Sequence, residues 1–218
     1  MTRLALSRLH FPVTTLGPGR RVGVWFQGCS IRCPGCVSLD TWSAKEPDTD
    51  CAAVLAAIQP FANQADGLTV SGGEPFDQVD ALHALLVGWR GAHSGSVLVY
   101  SGYPLERLQP LLARFDGLID ALVTDPLQLQ VPQTLPLRGS DNQRLTLLTA
   151  SGRAAFAHLD VPQPNAAPAL DVMFDDETGT VFFAGVPRRG DMKRLASLLL
   201  RAGHQAATTE DKSASACR

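Results

Sequence analysis

The 218-residue sequence lacks any apolar run long enough to span a membrane. A membrane-spanning helix needs about 20 mostly apolar residues, and no stretch of this chain approaches that length. The N-terminal segment MTRLALSRLHFPVTTL also lacks the continuous apolar region and the small-residue cleavage site of a secretory signal. We therefore expect no membrane partner and a cytoplasmic location, where cysteine thiols stay reduced.

Acidic residues are missing from the first 39 positions, although the whole chain carries a net charge of −2. This net charge argues against bulk nucleic-acid binding. The acid-free stretch forms either a solvated basic surface or a positive rim around an anionic centre or an acidic partner. Its arginines are Arg3, Arg8, Arg20, Arg21 and Arg32.

A fourth cysteine is missing from CSIRCPGC (29–36), which holds three of the chain's five cysteines. Three thiolates are one ligand short of a structural zinc site, and Cys51 is the nearest candidate to complete it. Cys51 begins an Ala- and Leu-rich segment, where a small buried side chain is the expected role. Three cysteines can instead hold three corners of a cubane iron–sulfur cluster and leave one iron open. The spacing favours the cluster over zinc.

Short β-prone runs alternate with helical patterns through the first 150 residues. This alternation predicts βαβ units and a parallel sheet, with ligands bound at the carboxyl ends of the strands. The loops at those ends carry the cysteines, then SGGEP (71–75), then SGY (101–103). The predicted strands are RVGVWF (21–26), GLTV (67–70), SVLVY (96–100), LIDALV (118–123) and RLTLLT (144–149).

The C-terminal third has a different pattern. A Pro-, Ala- and Asn-rich linker (161–169) precedes LDVMFDDETGTVFFAGV, which alternates around DDETG and predicts a β-hairpin. The next segment, DMKRLASLLLRAG, predicts a helix that is capped by Asp191 and ends at Gly203. The polar tail (204–218) is expected to be disordered.

The motif SGGEP combines two glycines with a carboxylate. Glycines let backbone groups approach a ligand closely, and the Glu74 carboxylate can accept hydrogen bonds from an ammonium group. Taken alone, the motif is more typical of a plain strand-to-helix turn. Its place one βα unit after the cysteines favours a shared site.

The two motifs together resemble the radical S-adenosylmethionine superfamily. GPGRRVGVWFQGC (17–29) resembles the approach to the cluster loop in glycyl-radical-enzyme activases. CPGCVSLDTW (33–42) is similar to the cluster loop of anaerobic ribonucleotide reductase activating proteins, including Gly35 where many superfamily members carry an aromatic residue. The later matching motifs are SGYPLERL (101–108) and LRGSDNQRL (137–145).

The resemblance implies an α/β fold in the form of a partial (β/α) barrel with parallel strands. We expect a single domain over residues 1–203, with a core at 17–149 and a hairpin and helix extension at 169–203. The implied cofactors are a [4Fe-4S] cluster and S-adenosylmethionine, whose reductive cleavage gives a 5′-deoxyadenosyl radical. The implied cluster ligands are Cys29, Cys33 and Cys36, and the implied S-adenosylmethionine contacts are Gly72, Gly73, Glu74, Ser101 and Asn142. Tyr103 and Arg144 are weaker candidates.

Three functions remain open. The first is an activase that forms a glycyl radical on a partner enzyme, with electrons from a donor such as flavodoxin docking at Arg20 and Arg21. The second is a radical enzyme for a small molecule or peptide, similar to 7-carboxy-7-deazaguanine synthase. The third is a non-catalytic iron–sulfur or zinc module. VTDPLQ (123–128) departs from the Asp-Gly-Pro-Phe turn of the activating proteins, and this departure bears on the substrate.

Overall fold

The computed structural model describes residues 2–163, 170–175 and 180–203, which form a mixed α/β structure. The strands, in chain order, are β1 (Arg3–Leu4), β2 (Leu6–Val13), β3 (Arg21–Phe26), β4 (Thr49–Asp50), β5 (Gly67–Gly72), β6 (Ser96–Tyr100), β7 (Ala121–Thr124), β8 (Arg144–Leu147), β9 (Leu170–Asp175) and β10 (Thr180–Gly185). The α-helices are α1 (Cys51–Ile58), α2 (Val79–Ala92), α3 (Leu105–Leu112), α4 (Ala150–Phe156) and α5 (Asp191–Arg201).

Six of the described strands form the main sheet, in the order β2-β3-β5-β6-β7-β8. The four central strands, β3, β5, β6 and β7, run parallel, and β2 and β8 pair antiparallel at the two edges. The prediction of a parallel sheet is thereby confirmed for the centre. The edge strand β2 was not predicted, because polar residues interrupt its apolar alternation and its side chains are mostly half-buried.

The central strands form because their side chains are buried on both faces. All six residues of β3 and all four of β7 are buried, as near-continuous apolar runs in parallel sheets require. The parallel register places Phe26, at the end of β3, opposite Gly72, at the end of β5. The loops that follow these two strands therefore leave the same edge of the sheet.

Two helices cover the sheet and fix the spacing of those loops. The Asp50 side chain caps α1 by accepting a hydrogen bond of 2.9 Å from the Ala53 N–H. Helix α1 ends at Ile58, and a 3-10 turn containing Pro60 follows it. Helix α2 turns one apolar stripe towards the core, formed by Ala81, Leu82, Leu85, Leu86 and Trp89.

The predicted C-terminal hairpin and helix are both present. Strands β9 and β10 pair antiparallel. Residues 176–179 between them, residues 164–169 of the predicted linker (161–169) and the tail (204–218) lie outside the described residues. The predicted cap of α5 is wrong by one position. Gly190, at a φ of +85°, is the N-cap, and Asp191 is the first helical residue. Glycine reaches this left-handed conformation without the Cβ strain that other residues incur.

The hairpin is fastened to the first part of the chain by one carboxylate. Asp171 accepts four hydrogen bonds, from the backbone N–H and the hydroxyl group of both Thr14 and Thr15, at 2.6 to 3.0 Å. Met173 and Ala184 add apolar contacts beside Trp25 of β3. The extension therefore packs against β3 and the segment that directly follows β2.

None of the helices in the described residues combines the length and the apolar character that crossing a bilayer requires.

Candidate functional site

A cavity of about 550 Å³ opens where the central parallel strands end. Parallel α/β sheets bind ligands at this edge, because the loops after neighbouring strands converge there. The cavity lining includes all but one of the residues implied as cluster ligands or main S-adenosylmethionine contacts, namely Cys29, Cys33, Cys36, Gly72, Gly73, Glu74 and Ser101.

Asn142 is the exception. It is not among the described residues that line the cavity, and its side-chain N–H donates a 2.9 Å hydrogen bond to the Pro126 carbonyl. Its side-chain oxygen is buried and has no hydrogen-bond partner among the described residues. The neighbouring Gln143 does line the cavity. A contact between Asn142 and a cofactor stays a prediction.

The cysteine loop is held by backbone hydrogen bonds to the turn that follows it. The Gly28 N–H donates to the Thr41 carbonyl at 2.8 Å, and the Cys29 N–H donates to the Trp42 carbonyl at 3.3 Å. Within the loop, the Cys36 N–H donates to the Cys33 carbonyl at 3.1 Å. The loop is therefore closed at its base, while its thiols face the cavity.

All three cysteine side chains of the loop are free thiols. Burial is the main cause that raises the pKa of both Cys33 and Cys36, and the charge of neighbouring thiols raises it further. Thiols that influence one another in this way are close in space. Such a group suits an iron–sulfur cluster, because bound iron favours the thiolate form and compensates its charge.

No group of three or more His, Cys, Asp and Glu side chains in the described ranges is arranged around one metal-ion position. Cluster cysteines need no such convergence, because each binds a different iron. Cys51 does not supply a fourth ligand to this loop. It is 4 % exposed in the hydrophobic core, and its Sγ donates a hydrogen bond to the Ala81 carbonyl.

The motif SGGEP lies directly against the cysteine loop. The Gly73 N–H donates to the Phe26 carbonyl, and the Glu74 N–H donates to the Gly28 carbonyl, both at 2.8 Å. A Cβ atom on Gly73 would lie 1.9 Å from the Gly28 carbonyl oxygen. The two glycines were expected to let a ligand approach the backbone closely. At Gly73 it is the neighbouring cysteine loop that makes this close approach. Gly73 therefore joins the two motifs into one unit.

Glu74 presents a buried and well-supported carboxylate to the cavity. It is 1 % exposed, and it accepts hydrogen bonds from the Ser101 hydroxyl and the Gly102 N–H at 2.8 Å and from the Phe76 N–H at 3.0 Å. Burial raises the pKa of Glu74 to about 7, although these three donors act to lower it. A buried carboxylate of this kind gains most from a cationic ligand, which compensates its charge.

The titration of Glu74 predicts that the cofactor-free protein loses stability as the pH rises. The pKa of this carboxyl is about 7 in the folded protein and lies near 4.5 when the chain is unfolded, so the folded state binds more protons between these values. The stabilisation is complete below the unfolded pKa and is lost as the pH rises through the folded one. We expect a decrease of up to about 3 kcal/mol in the free energy of unfolding. Urea unfolding below and above this interval measures it.

The matched control is Glu74→Gln, whose side chain does not titrate. Its amide can no longer accept from all three donors, so the variant is expected to be less stable at low pH and much less dependent on pH. A pH dependence equal to that of the wild-type protein would assign the effect to other groups.

Sequence reasoning missed a second polar cluster beneath the cysteine loop. Asp77 accepts hydrogen bonds from the Ser30 N–H at 2.9 Å and from the Ser30 hydroxyl at 3.0 Å. Tyr103 donates to the same carboxylate at 2.5 Å and contacts the Ser30 hydroxyl at 2.7 Å. The place of Asp77, three residues after Glu74, was the available signal. These contacts tie the cysteine loop to both later motifs.

Arg144, a weaker candidate for a cofactor contact, is not among the described residues that line the cavity. Its guanidinium group forms hydrogen bonds of 2.6 to 2.9 Å with the carboxylates of Glu106 and Asp125. Of these residues, Asp125 lines the cavity. The position of Arg144 indicates that it orients Asp125 at the cavity edge.

The expected positive rim at Arg20 and Arg21 is wrong. Arg21 is the first residue of β3 and Arg20 directly precedes it, so both lie at the opposite end of the strand from the cysteine loop. Arg21 is 0 % exposed, and its guanidinium group bonds to groups that include the Thr69 hydroxyl and the Leu68 carbonyl. The charge pattern alone could not distinguish a surface arginine from one buried by hydrogen bonds to the backbone.

Two other arginines of the acid-free stretch lie nearer the cysteine loop or its cavity. Arg8 lines it, forms an ion pair with Asp40 and lies over the ring of Trp25. Arg32 is exposed within the cysteine loop, and its Nε–H donates a 3.3 Å hydrogen bond to the Cys29 carbonyl. Positive charge therefore reaches the cysteine loop from these two positions.

The opposite wall of the cavity comes from two segments with no role assigned by sequence. One is the loop after β7, where Leu129 covers Gly35 so closely that a Cβ atom there would lie 2.4 Å from a Leu129 methyl group. Gly35 has a φ of +78°, which also favours glycine. The other is the C-terminal extension, whose apolar side chains at the cavity include Phe182, Phe183, Met192, Leu195 and Leu199.

Comparison with known proteins places this site in a family. The family model described as a 4Fe-4S single cluster domain matches residues 15–146, which is more than half of the chain. The chain belongs to this 4Fe-4S single cluster family. The match includes the cysteine loop and SGGEP, whereas the C-terminal extension lies beyond it. The family match therefore includes the cysteine wall and the loop after β7, and the C-terminal extension supplies the rest of the cavity.

Named relatives agree with this assignment. The anaerobic ribonucleoside-triphosphate reductase-activating protein of Enterobacteria phage T4 is 28% identical over 135 residues, covering 59% of this chain and 85% of the relative. The protein of the same name from Escherichia coli (strain K12) is 29% identical over 144 residues, covering 62% and 93%. The pyruvate formate-lyase-activating enzyme of Listeria monocytogenes serovar 1/2a is 31% identical over 170 residues, covering 73% and 66%. The predicted resemblance to radical S-adenosylmethionine activases is confirmed, and with it the enzyme class and the cofactor pair.

Proposed function

We propose that this protein is a radical S-adenosylmethionine activase that forms a glycyl radical on a partner enzyme. The observation that carries the proposal is the joining of the cysteine loop to the Gly-Gly-Glu motif in one cavity wall, through the contact between Gly73 and Gly28. The relatives named as activating proteins support the same reaction.

Cys29, Cys33 and Cys36 would hold the [4Fe-4S] cluster, and the fourth iron would be left for S-adenosylmethionine. When bound, the reduced cluster supplies the electron that cleaves S-adenosylmethionine to methionine and a 5′-deoxyadenosyl radical. The chain's own task is to hold the thiols at the base of the cavity and to exclude water there. Burial of the Cys33 and Cys36 side chains serves both purposes.

Glu74 would receive the amino group of S-adenosylmethionine. Its carboxylate lies on the same wall as the thiols, and Ser101 and Gly102 hold it in place by hydrogen bonds to different oxygens. An ammonium group at this position would compensate the charge that burial disfavours. Gly72 and Gly73 would leave room for the cofactor beside the carboxylate, and Asn142 is proposed as a more distant contact.

A glycyl radical assay tests the proposed reaction directly. The reconstituted and reduced protein is mixed with S-adenosylmethionine and a glycyl radical enzyme from the same genome, and the sample is frozen for electron paramagnetic resonance. We expect a glycyl doublet that loses its splitting when the exchangeable α-hydrogen is replaced by deuterium. Cleavage of S-adenosylmethionine without a protein radical on any such partner would reassign the substrate to a small molecule or peptide.

We propose further that an acidic electron donor such as flavodoxin docks beside Arg32. Arg32 is exposed and lies within the cysteine loop, so its charge acts at a short distance from the cluster. We expect Arg32→Glu to slow cluster reduction by flavodoxin about tenfold at low salt and to leave reduction by dithionite unchanged.

Arg20→Glu is the matched control, because Arg20 is exposed at the opposite end of β3. Equal slowing in the two variants would mean that total charge, and not docking at Arg32, controls the reaction.

The wider organisation is also proposed. We infer that residues 1–203 act as one radical S-adenosylmethionine domain with its core at 17–149, since the extension contributes to the same cavity as the core. We propose that the sheet is curved as a partial (β/α) barrel around this cavity. A cytoplasmic location and the absence of nucleic-acid and membrane partners complete the proposal.

A further inference from the structure

Trp42 lines the cavity, and its indole N–H has no role in the proposed function as described above. Its indole ring lines the cavity, and its N–H is buried without a hydrogen-bond partner among the described residues. A buried N–H that makes no hydrogen bond costs roughly 1–3 kcal/mol. The position of Trp42 therefore suggests that the N–H serves a group that the cavity binds.

The backbone holds Trp42 directly beside the cysteine loop. The Trp42 N–H of the main chain donates to the Leu39 carbonyl at 3.1 Å, and the Trp42 carbonyl accepts from the Cys29 N–H at 3.3 Å. The side chain is thus attached to the loop at one end and faces the cavity at the other. Its ring has little freedom to turn away.

Trp42 and Cys36 line the same cavity. The backbone N–H of Ser38 already donates to the Cys36 Sγ at 3.4 Å. Cys36 therefore has one donor in place, and the unpaired indole N–H is an available donor in the same cavity.

We propose that the Trp42 indole N–H donates a hydrogen bond to the Cys36 side of the bound cluster and thereby raises the cluster's reduction potential. The acceptor is the Cys36 sulfur or the cluster sulfide beside it. Hydrogen bonds to the sulfurs stabilise the more negative, reduced state of a cluster, because the donor dipole offsets the added charge. Trp42 is thus a tuning residue that acts through Cys36.

This inference rests on the proposed cluster ligation and not on the identity of the final substrate. The tuning also has a clear purpose in the proposed reaction. A buried cluster is hard to reduce, and a donor at one ligand makes the electron transfer from a flavodoxin-like protein more favourable. The same donor leaves the open iron accessible, since it acts beside an iron that already has a protein ligand.

Trp42→Phe tests the proposal, because it keeps an aromatic ring in the cavity and removes the N–H. We expect the variant to bind the cluster and to show a midpoint potential more negative than that of the wild-type protein. Trp89→Phe is the control, since Trp89 lies in the core of α2 and donates to the Gly95 carbonyl. Its midpoint potential is expected to equal that of the wild-type protein. Equal potentials in all three proteins would overturn the proposal, even if S-adenosylmethionine is still cleaved.

A second measurement does not depend on the variant's stability. In the wild-type protein labelled with ¹⁵N at the indole nitrogen, pulsed electron paramagnetic resonance of the reduced cluster is expected to detect one coupled indole nitrogen. The coupling should persist in Trp89→Phe. Absence of this coupling from the wild-type protein would overturn the proposal. This result can be obtained even if Trp42→Phe fails to retain a cluster.

Discussion

Replacing Cys36 with serine is expected to abolish both cluster binding and cleavage of S-adenosylmethionine. The thiol lies at the base of the cavity with the Ser38 N–H directed at its sulfur, and a serine hydroxyl is a poor ligand for iron. Iron and sulfide content after anaerobic reconstitution should fall far below four per chain. Formation of 5′-deoxyadenosine should fall by more than about 100-fold. The same result is expected for Cys29 and Cys33.

Cys51→Ser is the matched control. Cys51 is buried in the core beneath α2 and is not among the described residues that line the cavity. We expect a modest loss of stability with full iron content and full cleavage activity. Loss of the cluster from Cys51→Ser, or its retention in Cys36→Ser, would show that the proposed ligand assignment is wrong.

Gly73→Ala is expected to have the second largest effect. The added methyl group would lie 1.9 Å from the Gly28 carbonyl oxygen and 3.0 Å from the Thr41 carbonyl oxygen. Both contacts are with backbone atoms, so the cysteine loop itself must move. We expect the free energy of unfolding to fall by about 3 kcal/mol, with loss of most of the reconstituted cluster. Chemical denaturation and iron analysis measure the two effects.

Gly91→Ala separates this contact from a general effect of replacing glycine. Gly91 lies in α2, and a Cβ atom there would meet nothing within 4 Å. The substitution is expected to stabilise the protein by about 0.5 kcal/mol, because alanine loses less backbone entropy in a helix. If Gly73→Ala behaved like Gly91→Ala, the close contact between the two motifs would not exist in solution.

The sequence was most informative where local pattern and burial agree. The apolar runs of β3, β5 and β6 identified the central strands and the loops after them. Strands that are buried on both faces have continuous apolar sequences, which are easy to recognise. The same runs placed the cysteines, SGGEP and SGY at one edge of the sheet. The edge strand β2 carries no such pattern and was missed.

The details that the sequence could not supply depend on contacts between distant segments. The burial of Arg21 follows from acceptors on β5 and at the start of β6, which no local pattern reveals. The contact of Asp77 with Ser30 joins residues 47 positions apart. The C-terminal extension was predicted as a hairpin and helix, yet its place over the cavity depends on the bonds that Asp171 makes to Thr14 and Thr15.

Anaerobic turnover with S-adenosylmethionine tests the central claim most directly. The protein is reconstituted with iron and sulfide, reduced, mixed with S-adenosylmethionine and analysed for 5′-deoxyadenosine and methionine by liquid chromatography. We expect both products in equal amounts from the wild-type protein and from Cys51→Ser, and neither from Cys36→Ser. An intact reduced cluster that forms no 5′-deoxyadenosine would contradict the assignment of radical S-adenosylmethionine chemistry to this cavity.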